Sequence, residues 1–269
     1  MNDSGSKGPD RREILKGAAA LPLAGLSVAN ILASPALAQE VAASVEMVTL
    51  KTRGGLDVSG ALAVPSNLAE GQKAPSVLLI HEWWGLNEQL KTMARILADE
   101  GYVVLAADLY KGVVAADAAD ARYQVRNVDE AEVADTLTSW GSWLRSHALT
   151  SDKLGTCGWG FGGGWSLGVS LAMPVDASVI YYGNVTRTAE ELRALKGPVI
   201  GHFGMRDMHI DRKMVGKFES EMSKAGRVAT VHWYEADHGF ANPTTARYGE
   251  DDAKLAWERT TGFFRSYLT

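Results

Sequence analysis

Residues 158–162 have the sequence GWGFG and separate a strand-like run, residues 153–157, from a helix-like run, residues 163–169. The spacing is that of the G-x-S-x-G turn, in which a sharp strand-to-helix bend raises a nucleophilic side chain above an α/β sheet. Glycines two positions before and after the centre let the backbone bend without a clashing Cβ atom. The centre here is Gly160, which supplies neither oxygen nor sulfur. The pattern therefore predicts the turn without its usual nucleophile.

Short β-rich runs alternate with helical periods along the rest of the chain. Residues 44–51 and 56–64 alternate apolar and polar side chains, as an antiparallel pair at a sheet edge does. Further strands are predicted at residues 76–80, 102–107, 154–158, 177–182, 198–204 and 229–235, and helices at 87–100, 129–147 and about 251–268. Residues 113–127 are interpreted as an irregular insertion. Strands separated by helices predict one α/β domain with a doubly wound, mostly parallel sheet and helices on both faces.

Composition narrows the possible functions. The chain has 269 residues, of which 46% are hydrophobic and 22% are charged, and its net charge is −5. These values suit one α/β domain with a full core. The mild acidity gives no support to nucleic-acid binding, which requires a basic patch. The scattered His, Asp and Glu residues show no compact metal-ligand spacing, so no metal or cofactor is expected.

The N-terminal residues are typical of an export signal. Paired arginines, Arg11 and Arg12, precede an Ala/Leu-rich run over residues 17–32 and an A-x-A sequence that ends at Ala38. The alternative is an uncleaved membrane anchor, but the apolar run is short and prolines interrupt it. We therefore expect a twin-arginine signal peptide over residues 1–38 and a periplasmic domain over residues 39–269. The export machinery would be a transient partner, and no stable membrane anchor is expected.

Side chains that can carry chemistry follow three of the predicted strands. His81 and Glu82 follow the first buried strand, Asp207 follows residues 198–204, and His238 follows residues 229–235. Doubly wound sheets bind ligands at these strand ends. Together with the turn, the order along the chain is nucleophile position, acid, histidine, which characterises the α/β-hydrolase fold. This order favours Asp207 as the acid that orients His238, over a surface carboxylate and a structural histidine.

On these motifs the chain resembles the dienelactone hydrolase family, a branch of the α/β hydrolases. The matching segments are HEWWGL at residues 81–86, DLY at 108–110, GWGFGGG at 158–164, GHFG at 201–204 with Asp207, and HGF at 238–240. They extend from about residue 80 to residue 243 and so cover most of the chain after the leader. The resemblance implies a cofactor-independent hydrolase that acts on a small carboxylic ester or lactone.

The resemblance also implies catalytic roles for individual residues. The family nucleophile is a cysteine, and its position is occupied by Gly160. The acid of the family corresponds to Asp207 and the base to His238. A glutamate that contacts the resting cysteine in the family corresponds to Glu82. The acid–base pair is thus retained, and the nucleophile cannot be carried over.

The groups that contact the substrate are implied in the same way. The oxyanion hole would consist of the backbone N–H groups of Phe161 and Trp83, which do not depend on the side chain at the centre of the turn. Family members that hydrolyse dienelactone have a carboxylate-binding arginine four residues past the histidine. Asn242 occupies that position here, which argues against dienelactone itself as substrate. The expected substrate-binding residues are Trp84, Trp159, Tyr110 and Asn242.

No other residue is a convincing replacement for the nucleophile. Cys157 lies within the preceding strand, where a thiol is expected to pack inertly, and Ser166 and Ser170 lie in the following helix. Three interpretations of Gly160 stay open: a hydrolase whose nucleophile has been removed, a hydrolase in which the retained histidine and Glu82 activate water, and a non-catalytic protein that binds ligands in an aromatic-lined pocket. The retained acid–base residues favour hydrolysis.

Overall fold

The computed structural model describes residues 28–269. The described elements are, in chain order, α1 (Val28–Leu32), α2 (Pro35–Ala43), β1 (Glu46–Lys51), β2 (Asp57–Ala63), β3 (Ala74–Ile80), α3 (Glu88–Asp99), β4 (Val103–Ala107), α4 (Ala118–Asn127), α5 (Glu130–Ser146), β5 (Thr150–Trp159), α6 (Phe161–Ala172), β6 (Ala177–Tyr181), α7 (Ala189–Leu192), β7 (Val199–Gly204), α8 (Arg212–Ala225), β8 (Ala229–Tyr234) and α9 (Glu250–Leu268).

The strands form one sheet in the order β1-β2-β4-β3-β5-β6-β7-β8. At one edge β1 pairs antiparallel with β2, and β2 pairs antiparallel with β4. The remaining pairings, from β4 through β8, are parallel. The predicted fold class, a single-domain and mostly parallel α/β sheet, is confirmed. Because the strands from β3 onward are parallel, their carboxyl ends share one edge of the sheet, where ligands bind in such folds.

Alternate residues of β3 pack into different layers of the core. Val77 and Leu79 belong to the apolar cluster that contains α3 and α9, whereas Leu78 and Ile80 belong to the cluster that contains α5. This two-residue period follows from the strand geometry, because successive side chains point to opposite faces. All four side chains are fully buried, and burying such a side chain contributes about 1.5–3 kcal/mol. The central strand is therefore held from both sides.

Residues 113–127 differ from the prediction, because they contain helix α4 rather than only irregular chain. The Asp117 carboxylate starts this helix by accepting hydrogen bonds from the N–H groups of Ala119 and Asp120. Within the helix only Ala121 is buried. The sequence therefore lacks the apolar stripe by which amphipathic helices are found. Capping, not burial, is the feature that indicates this helix.

The leader is only partly within the described residues. The arginine pair and the run up to residue 27 lie outside them. The predicted cleavage sequence, which ends at Ala38, lies in α2, where Ala38 and Val41 pack with Ile31 and Ile96. Over residues 28–269, every helix is too short or too polar to cross a membrane. Cleavage after Ala38 would thus cut a helix that packs against α3.

Candidate active site

The bend between β5 and α6 places Gly160 at the carboxyl edge of the sheet. Gly160 has φ 52° and ψ −112°, in a region that residues with a side chain rarely adopt. Its N–H donates to the Tyr181 carbonyl oxygen at 2.9 Å, and its carbonyl oxygen accepts from the Gly164 N–H at 3.2 Å. Strand β6 and the first turn of α6 thus hold the bend on both sides. The structure contains the predicted strand–turn–helix.

The glycines around the bend leave no room for side chains. A Cβ atom at Gly158 would lie 2.0 Å from the Gly162 carbonyl oxygen, and one at Gly162 would lie 2.2 Å from the Ile80 carbonyl oxygen. At Gly160 the situation is reversed. Among residues 28–269, and apart from its chain neighbours, the only heavy atom within 4 Å of a Cβ atom there is Nε2 of His238, at 3.8 Å. Position 160 therefore has space for a side chain, and that side chain would face the histidine.

Asp207, after β7, and His238, after β8, form a directly bonded pair. Nδ1 of His238 lies 2.7 Å from Oδ2 of Asp207. Oδ1 accepts from the backbone N–H groups of His209 and Ile210 at 2.8 and 2.9 Å. Burial acts to raise the pKa of Asp207, but the hydrogen bond from His238 and the two backbone N–H groups hold the pKa below its ordinary value. The ionised carboxylate can only accept, so Nδ1 donates to it and Nε2 faces Gly160.

Glu82, in the loop after β3, is fixed by two side-chain donors. Tyr182 donates its hydroxyl to Oε1 at 2.8 Å, and Asn242 donates Nδ2–H to Oε2 at 2.8 Å. Burial raises the pKa of Glu82, while both hydrogen bonds and the nearby His238 oppose that rise. Sequence reasoning missed Tyr182, although it follows β6 directly, as the other site residues follow their strands. Its φ of 38° is unusual for a residue with a side chain.

His81 supports the site from within the core. It is fully buried, its Nδ1 donates to the Glu82 carbonyl oxygen at 2.5 Å, and its Nε2 accepts from the Leu109 N–H at 3.1 Å. Burial lowers the pKa of His81 to about 4, so the ring is neutral at physiological pH. The imidazole thus ties the loop after β3 to the chain that follows β4. His81 does not line the cavity above Gly160.

A cavity of about 650 Å³ opens above the bend. Gly160, Glu82 and His238 all line it, so the structure brings the predicted catalytic positions together at one space. The other charged or aromatic residues on its wall are Trp83, Trp84, Glu130, Phe161, Trp165, Tyr182, Arg187, His209 and Arg247. The wall is mostly apolar with a few polar groups, as is usual for small-molecule sites.

The two predicted oxyanion donors belong to residues on this wall. Phe161 begins α6, and the N–H groups of a first helical turn have no acceptor within the helix. The partial positive charge of the helix N-terminus favours a negatively charged oxygen there. Trp83 lies in the loop after β3, on the same wall. The arrangement suits a carbonyl group that gains negative charge beside Gly160.

Of the four predicted substrate-binding residues, only Trp84 lines the cavity. The prediction is corrected for the other three, which lie elsewhere. Trp159 is 3% exposed and stacks on Tyr181 in the core, because the residue before the bend points to the opposite face of the strand. Tyr110 is buried and packs edge-on against His81. Asn242 is buried and is committed to Glu82. Asn242 thus holds the Glu82 carboxylate and does not line the cavity.

The other nucleophilic side chains near the bend are structural. Cys157 is fully buried, and burial raises the pKa of its thiol well above the ordinary value. Ser166 and Ser170 form a buried hydroxyl network with Thr156 and Ser178. Among residues 28–269, no three His, Cys, Asp or Glu side chains come together as metal ligands.

A parallel sheet with a strand–turn–helix bend, an acid after β7 and a histidine after β8 defines an α/β hydrolase. The chain belongs to the dienelactone hydrolase family, whose sequence model matches residues 58–268. Hydrolase chemistry is therefore established at the level of the family. The match covers all but the first of the eight strands.

Individual relatives agree with this assignment. The carboxymethylenebutenolidase of Pseudomonas putida is 27% identical over 205 residues, which cover 71% of this chain and 85% of the relative. Protein usf of Aquifex pyrophilus is 29% identical over 228 residues, which cover 81% and 96%. A solved structure from Klebsiella pneumoniae subsp. pneumoniae MGH 78578, provisionally named a dienelactone hydrolase, has a TM-score of 0.74 at 26% identity, and the match covers 83% of this chain and 99% of that one.

Proposed function

We propose that this chain hydrolyses a small carboxylic ester or lactone by direct attack of water, with His238 as the base. One observation carries the proposal. The Cβ position of Gly160 lies 3.8 Å from Nε2 of His238, and the described part of the chain places no other heavy atom within 4 Å outside the neighbouring residues. A water oxygen fits where the family has a nucleophilic side chain. Glu82, on the same wall, would help to orient it.

The reaction balances without a covalent intermediate. Nε2 of His238 takes a proton from water as the water oxygen bonds to the carbonyl carbon. The carbonyl electron pair moves onto its oxygen, which accepts hydrogen bonds from the N–H groups of Phe161 and Trp83. Collapse breaks the ester C–O bond, and the imidazolium returns its proton to the leaving alkoxide, giving an acid and an alcohol. Asp207 stays ionised throughout and holds the ring.

The expected rate follows from the groups that are retained. A positioned general base contributes about 10²–10⁴-fold. A single oxyanion donor contributes about 10²–10³-fold. Nucleophilic catalysis through a covalent intermediate does not contribute, because Gly160 has no side chain. The proposal therefore predicts slow turnover and a preference for activated esters and lactones.

The alternative is a non-catalytic protein that binds a ligand in the same cavity. The aromatic wall formed by Trp83, Trp84 and Trp165 supports it, since such walls suit apolar or cyclic ligands. Against it, a pocket that only binds has no need of a directly bonded Asp–His pair.

The variant His238→Ala separates these functions. We expect it to abolish hydrolysis of p-nitrophenyl acetate and to leave the affinity for an unreactive amide analogue nearly unchanged. The matched control is His147→Asn, because His147 does not line the cavity. This variant should retain parental turnover. Unaltered turnover of the His238 variant would exclude His238 as the base. A parent chain that binds the amide but hydrolyses nothing would instead support the binding protein.

We also propose that the protein is exported to the periplasm by the twin-arginine machinery. The proposal rests on Arg11, Arg12 and the A-x-A sequence that ends at Ala38. Replacing both arginines by lysine should retain the protein in the cytoplasm, as measured by cell fractionation. Periplasmic protein in that variant would rule out this route.

A further inference from the structure

The peptide bond between Glu82 and Trp83 carries a group on each side that matters to the site. Its N–H belongs to Trp83 and is one of the two predicted oxyanion donors, and its oxygen is the carbonyl oxygen of Glu82. The bond is trans. Because a trans peptide unit is planar, its C=O and N–H bonds point in opposite directions. Whatever fixes the direction of the Glu82 carbonyl therefore also fixes the direction of the Trp83 N–H.

The buried ring of His81 holds this carbonyl. Its Nδ1 lies 2.5 Å from the Glu82 carbonyl oxygen, and its Nε2 lies 3.1 Å from the backbone nitrogen of Leu109. A carbonyl oxygen can only accept and an N–H can only donate, so the two partners require the tautomer with its proton on Nδ1. The Gly85 N–H also approaches the same oxygen, but at 3.4 Å, which is long for such a bond. The imidazole is thus the closer of the two donors.

The Trp83 N–H is left available to a ligand. Within residues 28–269, no protein atom accepts a hydrogen bond from it, and Trp83 lines the cavity above the bend. A backbone N–H that lacks a protein partner is satisfied only by solvent or by a ligand. Because the Glu82 oxygen is turned toward the buried imidazole, the N–H of the same peptide is turned away from it.

The same ring contacts the residue that supplies the other predicted donor. The rings of His81 and Phe161 stack with their centroids 6.1 Å apart. The backbone is close as well, since the Cβ position of Gly162 lies 2.4 Å from the His81 carbonyl oxygen. His81 is therefore connected to both residues whose N–H groups would bind the oxyanion, although it lines no part of the cavity.

We propose that His81 is a positioning residue for the oxyanion hole, because its hydrogen bond to the Glu82 carbonyl orients and polarises the peptide whose N–H belongs to Trp83. The inference rests on the proposed function for the reaction, whereas the orientation of the peptide does not depend on turnover. Hydrogen bonds in a chain polarise one another, so the imidazole should also strengthen the Trp83 N–H as a donor. Negative charge develops on the substrate oxygen in the transition state, so His81 should act on kcat more than on KM.

Two amide substitutions separate the two hydrogen bonds of His81. In His81→Asn, the amide nitrogen can take the place of Nδ1 and keep the donor to Glu82. In His81→Gln, the amide oxygen can take the place of Nε2 and keep the acceptor for Leu109, while Glu82 loses its donor. We expect His81→Asn to retain the parental kcat for p-nitrophenyl acetate within about 3-fold. His81→Gln should lose about 10- to 100-fold in kcat at nearly unchanged KM, which is less than the loss of a whole oxyanion donor.

The matched control is His202→Gln. His202, in β7, is also fully buried, and its ring also makes two hydrogen bonds, to the hydroxyls of Tyr234 and Thr260. It does not line the cavity. This control should lose stability to urea as His81→Gln does and keep the parental kcat. Equal losses of kcat in the two His81 variants, or in His81→Gln and the control, would overturn the proposal, because His81 would then act through stability alone.

Calorimetry tests the same point without turnover. Ethyl butylphosphonate is a tetrahedral anion that resembles the transition state, and N-ethylpentanamide is its neutral, planar counterpart. We expect His81→Gln to lose about tenfold or more in affinity for the phosphonate and to bind the amide as the parent does. Unchanged affinity for the phosphonate, or equal losses for both compounds, would contradict the proposal. A parent chain that hydrolyses nothing, yet binds the phosphonate in this His81-dependent way, would contradict the proposed hydrolysis and leave this inference standing.

Nitrogen NMR of the parent chain needs no variant and therefore does not depend on how well the variants fold. The ring of His81 should carry its proton on Nδ1 and none on Nε2 at neutral pH, because the Glu82 carbonyl accepts and the Leu109 N–H donates. A proton on Nε2 instead would exclude the hydrogen bond to the Glu82 carbonyl and would overturn the proposal by itself.

Discussion

The bend at Gly160 and the Asp207–His238 pair face each other across one cavity, yet different parts of the chain hold them in place. The bend is held by backbone: carbonyl oxygens and N–H groups of β3, β6 and α6 approach it so closely that glycines are required. The pair is held by side-chain hydrogen bonds at the ends of β7 and β8.

This difference shows that the geometry of the bend does not depend on its central side chain. The backbone contacts keep the shape of the turn in a chain that has glycine at the centre. The acid–base pair has no such protection, because a single substitution removes the hydrogen bond that orients His238. A single substitution can therefore give the bend a nucleophile, and a single substitution can disable the Asp207–His238 pair.

The largest effect is expected from Gly160→Cys. Its thiol would face Nε2 of His238, which can activate it as a nucleophile. Hydrolysis of p-nitrophenyl acetate should rise by about 10²-fold or more. The free energy of unfolding should fall by about 1–3 kcal/mol, because a side chain is strained at a φ of 52°. Steady-state kinetics and urea unfolding measure the two changes.

The control for this gain is Gly164→Cys. Gly164 lines the same cavity, and its Cβ position lies 3.4 Å from the Asn184 carbonyl oxygen, away from the histidine. A thiol there should not raise turnover. Equal rates in the two cysteine variants would show that the bend holds no special position for a nucleophile.

The strands and helices are easier to predict from the sequence than the residues that line the site, because strands and helices depend on local patterns. Strands such as β3 are continuous apolar runs, and the capped α3 starts one residue after Asn87, so both are readable locally. Asp207 and His238 are predictable because they lie three and four residues after strands whose ends meet at one edge of the sheet. Tyr182 follows a strand as well, but its role depends on its hydrogen bond to Glu82, which lies 100 positions earlier.

Apart from helix α4, the predictions that the structure corrects concern the direction of side chains. Trp159 is next to Gly160 in the chain, yet it faces the core, because neighbouring residues of a strand point to opposite sides. Arg187, Arg247 and His209 line the cavity without any motif around them. Such residues are brought to the site by the packing of distant segments, which a single sequence does not display.

A smaller effect, on stability alone, is expected from Gly162→Ala. The new Cβ atom would lie 2.2 Å from the Ile80 carbonyl oxygen and 2.4 Å from that of His81, and neither backbone atom can move easily. The free energy of unfolding should fall by about 3 kcal/mol. Gly216→Ala is the control, because Gly216 lies in α8 and, among the described residues, no atom outside its own helix backbone and its chain neighbours comes within 4 Å of its Cβ position. It should gain about 0.5–1 kcal/mol. Similar values for both variants would contradict the claim that backbone packing fixes the bend.

The smallest effect is expected from Tyr182→Phe, which removes one of the two donors to Glu82. That hydrogen bond opposes the effect of burial, so its loss should raise the pKa of Glu82 further. Because the pKa of Glu82 is raised in the folded state, folding disfavours its ionised form. Folding of the variant disfavours that form more strongly than folding of the parent. Its free energy of unfolding should therefore lie about 1–2 kcal/mol below that of the parent at neutral pH. The deficit should shrink as the pH falls and Glu82 becomes protonated in both proteins.

Tyr181→Phe provides the comparison for the Tyr182 variant, because its neighbouring and equally buried hydroxyl bonds Thr260 instead of a carboxylate. We expect its deficit to be nearly constant over the same pH range, since no group with an acidic pKa loses a partner. Urea unfolding of both variants at several pH values gives the answer. A deficit in Tyr182→Phe that does not vary with pH would mean that the hydroxyl does not stabilise the ionised form of Glu82. The side-chain network beside the bend would then be a packing feature, and the general-base role would rest on Asp207 and His238 alone.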